Sequence, residues 1–151
     1  MQEPITHSYP LTILESHLDT LGHVNHAIYL QLLEEARWDM VTSRGYGLDR
    51  IQKTGLGPVI LEVKIEFKRE LRLRTKITIE TEFKSYKKRI AVIHQRVINP
   101  DSKLCAVADI KFGIFDLKKR KLVYPDQEWL TALGLDPNYP IHDPEEESEE
   151  S

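Results

Sequence analysis

Hydrophobic residues recur at helical spacing in one part of the chain. The segment runs from Asn25 to about Ser43, and its apolar positions are Tyr29, Leu32, Leu33, Ala36, Met40 and Val41. This spacing places them on one face of an amphipathic helix. Asn25 is a suitable N-cap, and the glycines of SRGYG suit the other end. The preceding segment YPLTILESHL, residues 9 to 18, is predicted to be a strand.

Beyond residue 58 the pattern changes to alternation, which is typical of strands. In VILEVKIEFKREL one face is predicted to hold Val59, Leu61, Val63, Ile65 and Phe67. The segments TKITIETEFKSY, RIAVIHQRVIN and KLCAVADIKFGIFDL follow at hairpin spacing, which predicts an antiparallel sheet. LDRIQKTG and PDQEWLTALG are predicted to be short helices. One long helix and one sheet predict an α+β layer architecture, with the helix lying on the sheet.

The composition is that of a soluble globular protein. The chain has 151 residues, of which 30 % are charged and 40 % are hydrophobic, enough for one domain with a sizeable core. No apolar run is long enough to span a membrane, and MQEPITHSYP does not have the features of a secretory signal. The single cysteine, Cys105, cannot form an internal disulfide and is expected to be buried. A cytoplasmic location is therefore expected.

Acidic residues are concentrated at the C-terminus. DPEEESEES carries six of the 24 acids, so the remaining 18 acids and 21 basic residues leave the rest of the chain at about +3. We predict an N-terminal extension at 1–8, one domain at 9–135 and a disordered acidic tail at 136–151. A mildly basic body does not indicate nucleic-acid binding, and it is compatible with a small phosphorylated ligand.

Polar residues crowd the segment HLDTLGHVNH, which leads into the predicted helix. Asp19 lies in the loop, and Gly22 allows a tight or left-handed turn. The helix N-terminus offers unpaired N–H groups and a partial positive charge. Such N–H groups can stabilise an oxyanion, and a carboxylate can act as a general base or a nucleophile. The combination suits hydrolysis of an activated carbonyl such as a thioester.

Other interpretations of the same segment stay open. Asp, Gly and Asn before a helix are ordinary capping and turn residues. His17, Asp19, His23 and His26 include an H-x-x-H pair, but no third ligand has a defined spacing, so the zinc signal is weak. A serine hydrolase is not indicated because G-x-S-x-G does not occur, and nothing in the sequence around Cys105 would activate its thiol.

The segment DTLGHVNHAIYLQLLEEAR resembles D-x-x-G-H-V-N-x-x-x-Y-x-x-x-x-E-x-A-R, the signature of hotdog-fold acyl-CoA thioesterases of the 4-hydroxybenzoyl-CoA thioesterase family. The matching positions are Asp19, Gly22, His23, Val24, Asn25, Tyr29, Glu34, Ala36 and Arg37. A looser similarity continues to about residue 125. The resemblance implies a long central helix wrapped by a curved antiparallel sheet of about five strands. It also implies a homodimer or homotetramer.

The same resemblance implies roles for the residues before the helix. Asp19 would be the catalytic carboxylate, and the N–H of residue 26 would polarise the thioester carbonyl. The His26 side chain has a counterpart that some members use beside the aspartate, although a polar residue of the cap region is an equal alternative. Gly22, His23 and Asn25 would shape the loop, and no metal would be bound.

A basic run, SYKKRIAV, lies between two predicted strands. Lys87, Lys88 and Arg89 form either a solvated turn that protects a sheet edge or, as the resemblance implies, a contact for CoA phosphates. KRELRLRTK is a further candidate for that contact. One departure is Glu15, where members with the histidine-assisted site tend to carry Tyr.

The expected activity is hydrolysis of acyl-CoA thioesters to a free carboxylic acid and CoA. No cofactor is expected, since CoA enters only as part of the substrate. Two alternatives are a thioesterase of the same fold that acts on acyl carrier protein, and an acyl-CoA-binding module without catalysis. Neither nucleic acid nor a membrane span is expected.

Overall fold

The computed structural model describes residues 1–141 of the chain, so residues 142–151 of the predicted tail lie outside the described residues, whereas residues 136–141 are described and Tyr139 among them packs against Phe83. The strands are β1 His7–Thr12, β2 Leu56–Phe67, β3 Lys76–Lys87, β4 Ile90–Ile98, β5 Leu104–Asp116 and β6 Lys121–Val123. The α-helices are α1 His26–Ser43, α2 Leu48–Thr54 and α3 Gln127–Ala132. No helix among residues 1–141 has the length and apolar character needed to cross a membrane.

Helix α1 forms as the sequence predicts. The Asn25 side chain accepts a hydrogen bond of 2.8 Å from the Ala27 N–H and thereby caps the first turn. After the last turn, Gly45 takes a left-handed conformation with φ of 91°. The apolar stripe is buried as predicted and consists of Tyr29, Leu32, Leu33, Ala36, Met40 and Val41.

The sheet is antiparallel throughout, with strand order β1-β3-β4-β5-β2 and a short β6 beside β5. The prediction of an α+β fold with one antiparallel sheet is confirmed. The sheet has six strands rather than about five because the three-residue strand β6 is too short to show in the hydrophobic pattern. Strands β3, β4 and β5 bury alternate residues against α1.

The first predicted strand is shorter than its sequence suggests. Strand β1 ends at Thr12, and Glu15–His17 form a 3₁₀ turn. The His17 Nδ1 accepts a hydrogen bond of 2.9 Å from the Leu14 N–H, which satisfies the backbone locally. The His17 side chain is therefore part of this turn.

Strand β2 departs from the predicted alternation at a bulge. Ile60 pairs with Phe112 and Glu62 pairs with Lys111, so Leu61 has no partner residue. Directly opposed residues share a face of the sheet. Val63, Ile65 and Phe67 therefore lie on the helix side together with Ile60, whereas the prediction placed Val59 and Leu61 there.

Strand β2 is also an edge of the sheet, and much of its helix-side apolar surface is open. The exposed fractions are 42 % for Ile60, 38 % for Val63 and 51 % for Phe67. An exposed apolar edge strand with unpaired backbone groups favours pairing with another strand.

A polar group in the core ties α1 to the sheet. Gln95 on β4 is fully buried and accepts a hydrogen bond of 2.9 Å from the Arg37 guanidinium. Its amide donates to the Leu33 carbonyl at 3.1 Å and to the Thr81 hydroxyl at 3.0 Å. Burial lowers the pKa of Arg37. Gln95 thus satisfies a largely buried cation and fixes the position of α1 over β3 and β4.

We predict that Gln95→Leu lowers the free energy of unfolding by about 3 kcal/mol, because the Arg37 cation and the Leu33 carbonyl lose their partner. Gln52→Leu, on the exposed side of α2, is the matched control and should change it by less than about 0.5 kcal/mol. Urea unfolding measures both. Equal stabilities of the two variants would contradict the structural role of Gln95.

Candidate active site

Asp19 lies at the start of a tight hairpin before α1. Its N–H donates to the His23 carbonyl at 2.8 Å. Its Oδ1 accepts hydrogen bonds from the Leu21 N–H at 2.9 Å and the His23 N–H at 3.3 Å. Gly22 takes φ of 81°, so a residue with a side chain would be strained there. Within residues 1–141 the other oxygen, Oδ2, accepts no hydrogen bond, which leaves it available to a ligand.

The hairpin is fixed to the rest of the structure on both sides. Leu18 and Val24 form an isolated antiparallel bridge. The Val24 N–H donates to the Leu71 carbonyl at 3.1 Å, and the Asn25 N–H donates to the His17 carbonyl at 3.3 Å. The position of Asp19 relative to the first residue of α1 is therefore set by backbone hydrogen bonds.

The first turn of α1 leaves one N–H group open. The Ala27 N–H donates to the Asn25 side chain, and the Ile28 N–H donates to the Asn25 carbonyl at 2.9 Å. Among the residues described, the His26 N–H has no acceptor. A helix N-terminus carries a partial positive charge, so this N–H is suited to an oxygen that becomes negative during a reaction.

Asp19 and His26 line the same open cleft. The other lining residues are His23, Val24, Tyr29, Phe67, Lys68, Arg69 and Glu70. Tyr29 is buried, and its hydroxyl donates to the Arg69 carbonyl at 3.4 Å. Burial raises the pKa of Tyr29 to about 12, so the hydroxyl stays protonated at neutral pH. Its ring meets Phe67 edge to face at 5.1 Å between centroids.

His23 shapes the cleft through a partner that sequence reasoning missed. Its Nε2 lies 3.2 Å from a carboxylate oxygen of Glu70, which follows strand β2. Glu70 belongs to the KRELRLRTK run, where only the basic residues were considered. A carboxylate so far along the chain from Asp19 gives no local signal that it reaches the same cleft. Gly22 and Asn25 act through the turn and the cap described above.

The basic run Lys87, Lys88 and Arg89 lies far from this cleft within one chain. Phe67 lines the cleft. Through the paired residues Ala106 and Val97 it is level with Ile79 of β3 across the sheet. The hairpin begins eight residues farther along β3, which is about 26 Å at ~3.3 Å per residue. Lys68 and Arg69 are the basic residues beside Asp19. The phosphate-binding role of the hairpin stays a prediction.

Cys105 and Glu15 both lie outside the cleft. Cys105 is buried as expected, and burial raises the pKa of its thiol, which keeps it protonated. Glu15, which departs from the histidine-assisted pattern, pairs with Arg74 at 2.6 Å outside the cleft. Among residues 1–141, no three side chains of His, Cys, Asp or Glu are grouped as metal ligands are.

Comparison with known proteins shows that this chain is similar to thioesterases. The family model of the thioesterase-like superfamily matches residues 14–133. The long-chain acyl-CoA thioesterase FadM of Escherichia coli K12 is 30 % identical over 106 residues, which cover 70 % of this chain and 80 % of that protein. The acyl-CoA thioester hydrolase YbgC of Escherichia coli O6:H1 is 25 % identical over 113 residues, covering 75 % of this chain and 84 % of its own.

Solved structures agree with the fold. The Staphylococcus aureus protein SAV2348, determined in complex with CoA, superimposes with a TM-score of 0.80 at 14 % identity. The match covers 87 % of this chain and 84 % of that one. At this identity the likeness concerns the fold, and it confirms the predicted hotdog architecture.

The geometry predicts that the loop tolerates loss of the Asp19 charge but not loss of its oxygen. Asp19→Asn keeps an Oδ1 for the two N–H groups and should leave the free energy of unfolding within about 0.5 kcal/mol of wild type. Asp19→Ala removes both hydrogen bonds and should cost about 1 to 2 kcal/mol. Urea unfolding of the two variants tests this. If Asp19→Asn and Asp19→Ala lower the free energy of unfolding equally, the hydrogen bonds to Oδ1 do not organise the loop.

Proposed function

The chain belongs to the thioesterase-like superfamily, and from that premise we propose that it hydrolyses acyl-CoA thioesters with Asp19 and the first turn of α1. One observation carries the assignment of residues: a carboxylate oxygen and a helix N–H, neither with a partner in the described residues, border one open cleft. The product is a carboxylic acid with free CoA, the chemistry named for the E. coli relatives.

The proposed reaction begins with water held by Asp19. The carboxylate takes a proton as the water oxygen bonds to the thioester carbon, and the carbonyl oxygen becomes an oxyanion that accepts from the His26 N–H. The carbon–sulfur bond then breaks, and the CoA thiolate leaves and takes up a proton. Asp19 could instead attack the carbon itself to give an anhydride that water cleaves. In either route we propose that the His26 imidazole, which lines the same cleft, orients water or protonates the departing thiolate.

We propose that the reaction needs no metal or redox cofactor. A thioester is an activated carbonyl, and its hydrolysis transfers no electrons to or from the protein. Base and oxyanion donor both come from this chain. CoA takes part only as the leaving half of the substrate. We place the protein in the cytoplasm, where a free thiol such as Cys105 stays reduced.

We propose a homodimer as the minimal unit, with a homotetramer as the further possibility that the resemblance implies. Support comes from the open apolar edge of β2 and from two partly exposed side chains on α1. Those are Leu30, 43 % exposed, and Trp38, 38 % exposed. A two-fold axis through the β2 edge would pair two copies of the same strand and cover these residues.

For activity, we predict that Asp19→Asn lowers kcat for acyl-CoA hydrolysis about 100-fold or more, because the amide cannot take a proton from water. The folded loop is retained, so the loss reports on chemistry. Asp101→Asn, in an exposed turn, is the control and should stay within about twofold of wild type. Thiol release over acyl groups of different length measures both.

The same assay separates the remaining alternatives. An enzyme for acyl carrier protein would cleave the carrier-bound thioester and leave acyl-CoA intact. An acyl-CoA-binding module would bind the ester and release no thiol. If wild type cleaves no acyl-CoA, or if Asp19→Asn matches wild type, the proposed function is wrong.

For assembly, we predict that Val63→Arg converts the dimer into monomers, since a charge would enter an apolar interface. Val63 is 38 % exposed in the single chain, so the fold itself should persist. Leu48→Arg, at a 64 % exposed position of α2, is the control and should remain dimeric. Sedimentation velocity distinguishes the species. If Val63→Arg remains dimeric, the dimer interface does not include Val63.

A further inference from the structure

An apolar cavity lies between α1, the sheet and α3, toward the end of α1 that is farther from Asp19. Its volume is about 220 Å³. A cavity of ~150 Å³ in a protein core is large enough for benzene, so this one has room for about eight carbons. The apolar side chains that line it include Trp38, Met40, Val41, Ile93, Phe112 and Leu133. Such a lining suits a hydrocarbon better than water.

Trp129 of α3 closes the inner end of the cavity. Its ring meets Tyr46 edge to face at 5.1 Å between centroids and Phe112 at 6.1 Å. Tyr46 follows the last turn of α1, and Trp129 is only 1 % exposed. The lining residues that are exposed to solvent, Glu34, Trp38 and Ile60, lie at the other end. The cavity therefore opens toward the gap between α1 and β2.

An open groove joins this opening to the Asp19 cleft. One wall is the face of α1 on which exposed side chains recur at every fourth position, Leu30, Glu34 and Trp38. The other wall is the open helix side of β2 described above. Its Phe67 end borders the Asp19 cleft, and its Ile60 end borders the cavity. The groove therefore runs along α1 from the cleft to the cavity.

The two charged residues at the opening offset each other. Glu34 lies three positions before Arg37, so the two share a helix face, and the carboxylate favours the charged form of the guanidinium. Arg37 also donates to Gln95. A ligand that enters the cavity thus meets one cation and one anion side by side. This arrangement gives an ionic ligand no net attraction, whereas an alkyl chain passes it without loss of a charge partner.

We propose that the cavity receives the far end of the acyl group and that the preferred substrates are thioesters of long unbranched fatty acids. This inference rests on the proposed function and adds the acyl class to it. The occupant follows from continuity with the reacting carbonyl, since the groove begins where the His26 N–H would hold that carbonyl. The dimer proposed above would cover the open side of the groove and take the alkyl chain out of water.

The length of α1 sets the length of the acyl group. At ~1.5 Å per residue, the opening at Glu34 lies about 12 Å from His26, and Val41 inside the cavity lies about 22 Å from it. Carbon–carbon bonds of about 1.5 Å at tetrahedral angles advance an extended chain by about 1.3 Å per carbon. About nine carbons therefore reach the opening, and about seventeen reach Val41. The difference of about eight carbons agrees with the volume of the cavity.

A comparison of acyl lengths gives the first test. We expect kcat/KM of wild type to be about 100-fold or more higher for hexadecanoyl-CoA than for octanoyl-CoA, because only the longer chain enters the cavity and each buried methylene contributes about threefold. Benzoyl-CoA also stops short of the opening and should be as slow as octanoyl-CoA. If octanoyl-CoA or benzoyl-CoA is cleaved as efficiently as hexadecanoyl-CoA, the proposed acyl class is wrong.

A larger side chain inside the cavity gives the second test. Val41→Phe should lower kcat/KM for hexadecanoyl-CoA about 30-fold or more and leave that for octanoyl-CoA within about twofold, because only the long chain loses its space. Val92→Phe is the matched control, since Val92 alternates with the buried residues of β4 and faces away from α1. It should leave both values within about twofold. An equal effect of Val41→Phe on the two substrates would contradict the proposal.

Tryptophan fluorescence tests the cavity without turnover and without a change in its lining. The chain has two tryptophans, Trp38 and Trp129, and both line the cavity. Bromine quenches indole fluorescence on contact. Octadecanoyl-CoA brominated near its methyl end should therefore quench the Asp19→Asn variant strongly, whereas the thioester brominated beside its carbonyl should not.

Equal quenching by the two brominated thioesters, or no quenching by either, would overturn the assignment of the cavity. This result is separate from the outcome of the activity assay. If wild type cleaves no acyl-CoA of any length, the proposed function fails, and the fluorescence titration still decides whether the cavity holds the far end of the acyl chain.

Discussion

The site depends on the backbone hydrogen bonds that close residues 18 to 24 into a hairpin at the start of α1. They hold a carboxylate beside a helix N-terminus without using any side chain of the sheet. The Asp19 side chain contributes to the same closure through Oδ1 and leaves Oδ2 for chemistry. In the proposed reaction, the base and the oxyanion donor are thus prepositioned before substrate arrives, which spares reorganisation.

The rest of the fold supports that arrangement by fixing α1. Its apolar stripe packs on the sheet, and Gln95 gives the largely buried Arg37 a neutral partner. Helix direction matters because only the N-terminus offers free N–H groups and a favourable dipole. A shift of α1 along the sheet would move the His26 N–H away from Asp19.

Local features could be predicted from the sequence, and long-range ones could not. The span of α1, its Asn25 cap and its buried face follow from helical spacing over neighbouring residues. Asp19 and the His26 N–H followed from a dense motif beside that helix. The bulge at Leu61, the Glu70 partner of His23 and the Gln95 partner of Arg37 depend on which strands pair and in what register. The hydrophobic pattern of one strand does not identify which distant strand pairs with it or where a bulge interrupts the pairing.

The proposed reaction depends on a contact between the thioester carbonyl and the N-terminus of α1. A crystal structure of Asp19→Asn with uncleaved acyl-CoA tests it most directly. We predict that the thioester carbonyl oxygen lies within about 3 Å of the His26 backbone nitrogen, which is the distance of an oxyanion-hole contact. A thioester bound away from His26, with its carbonyl held by other groups, would contradict the account.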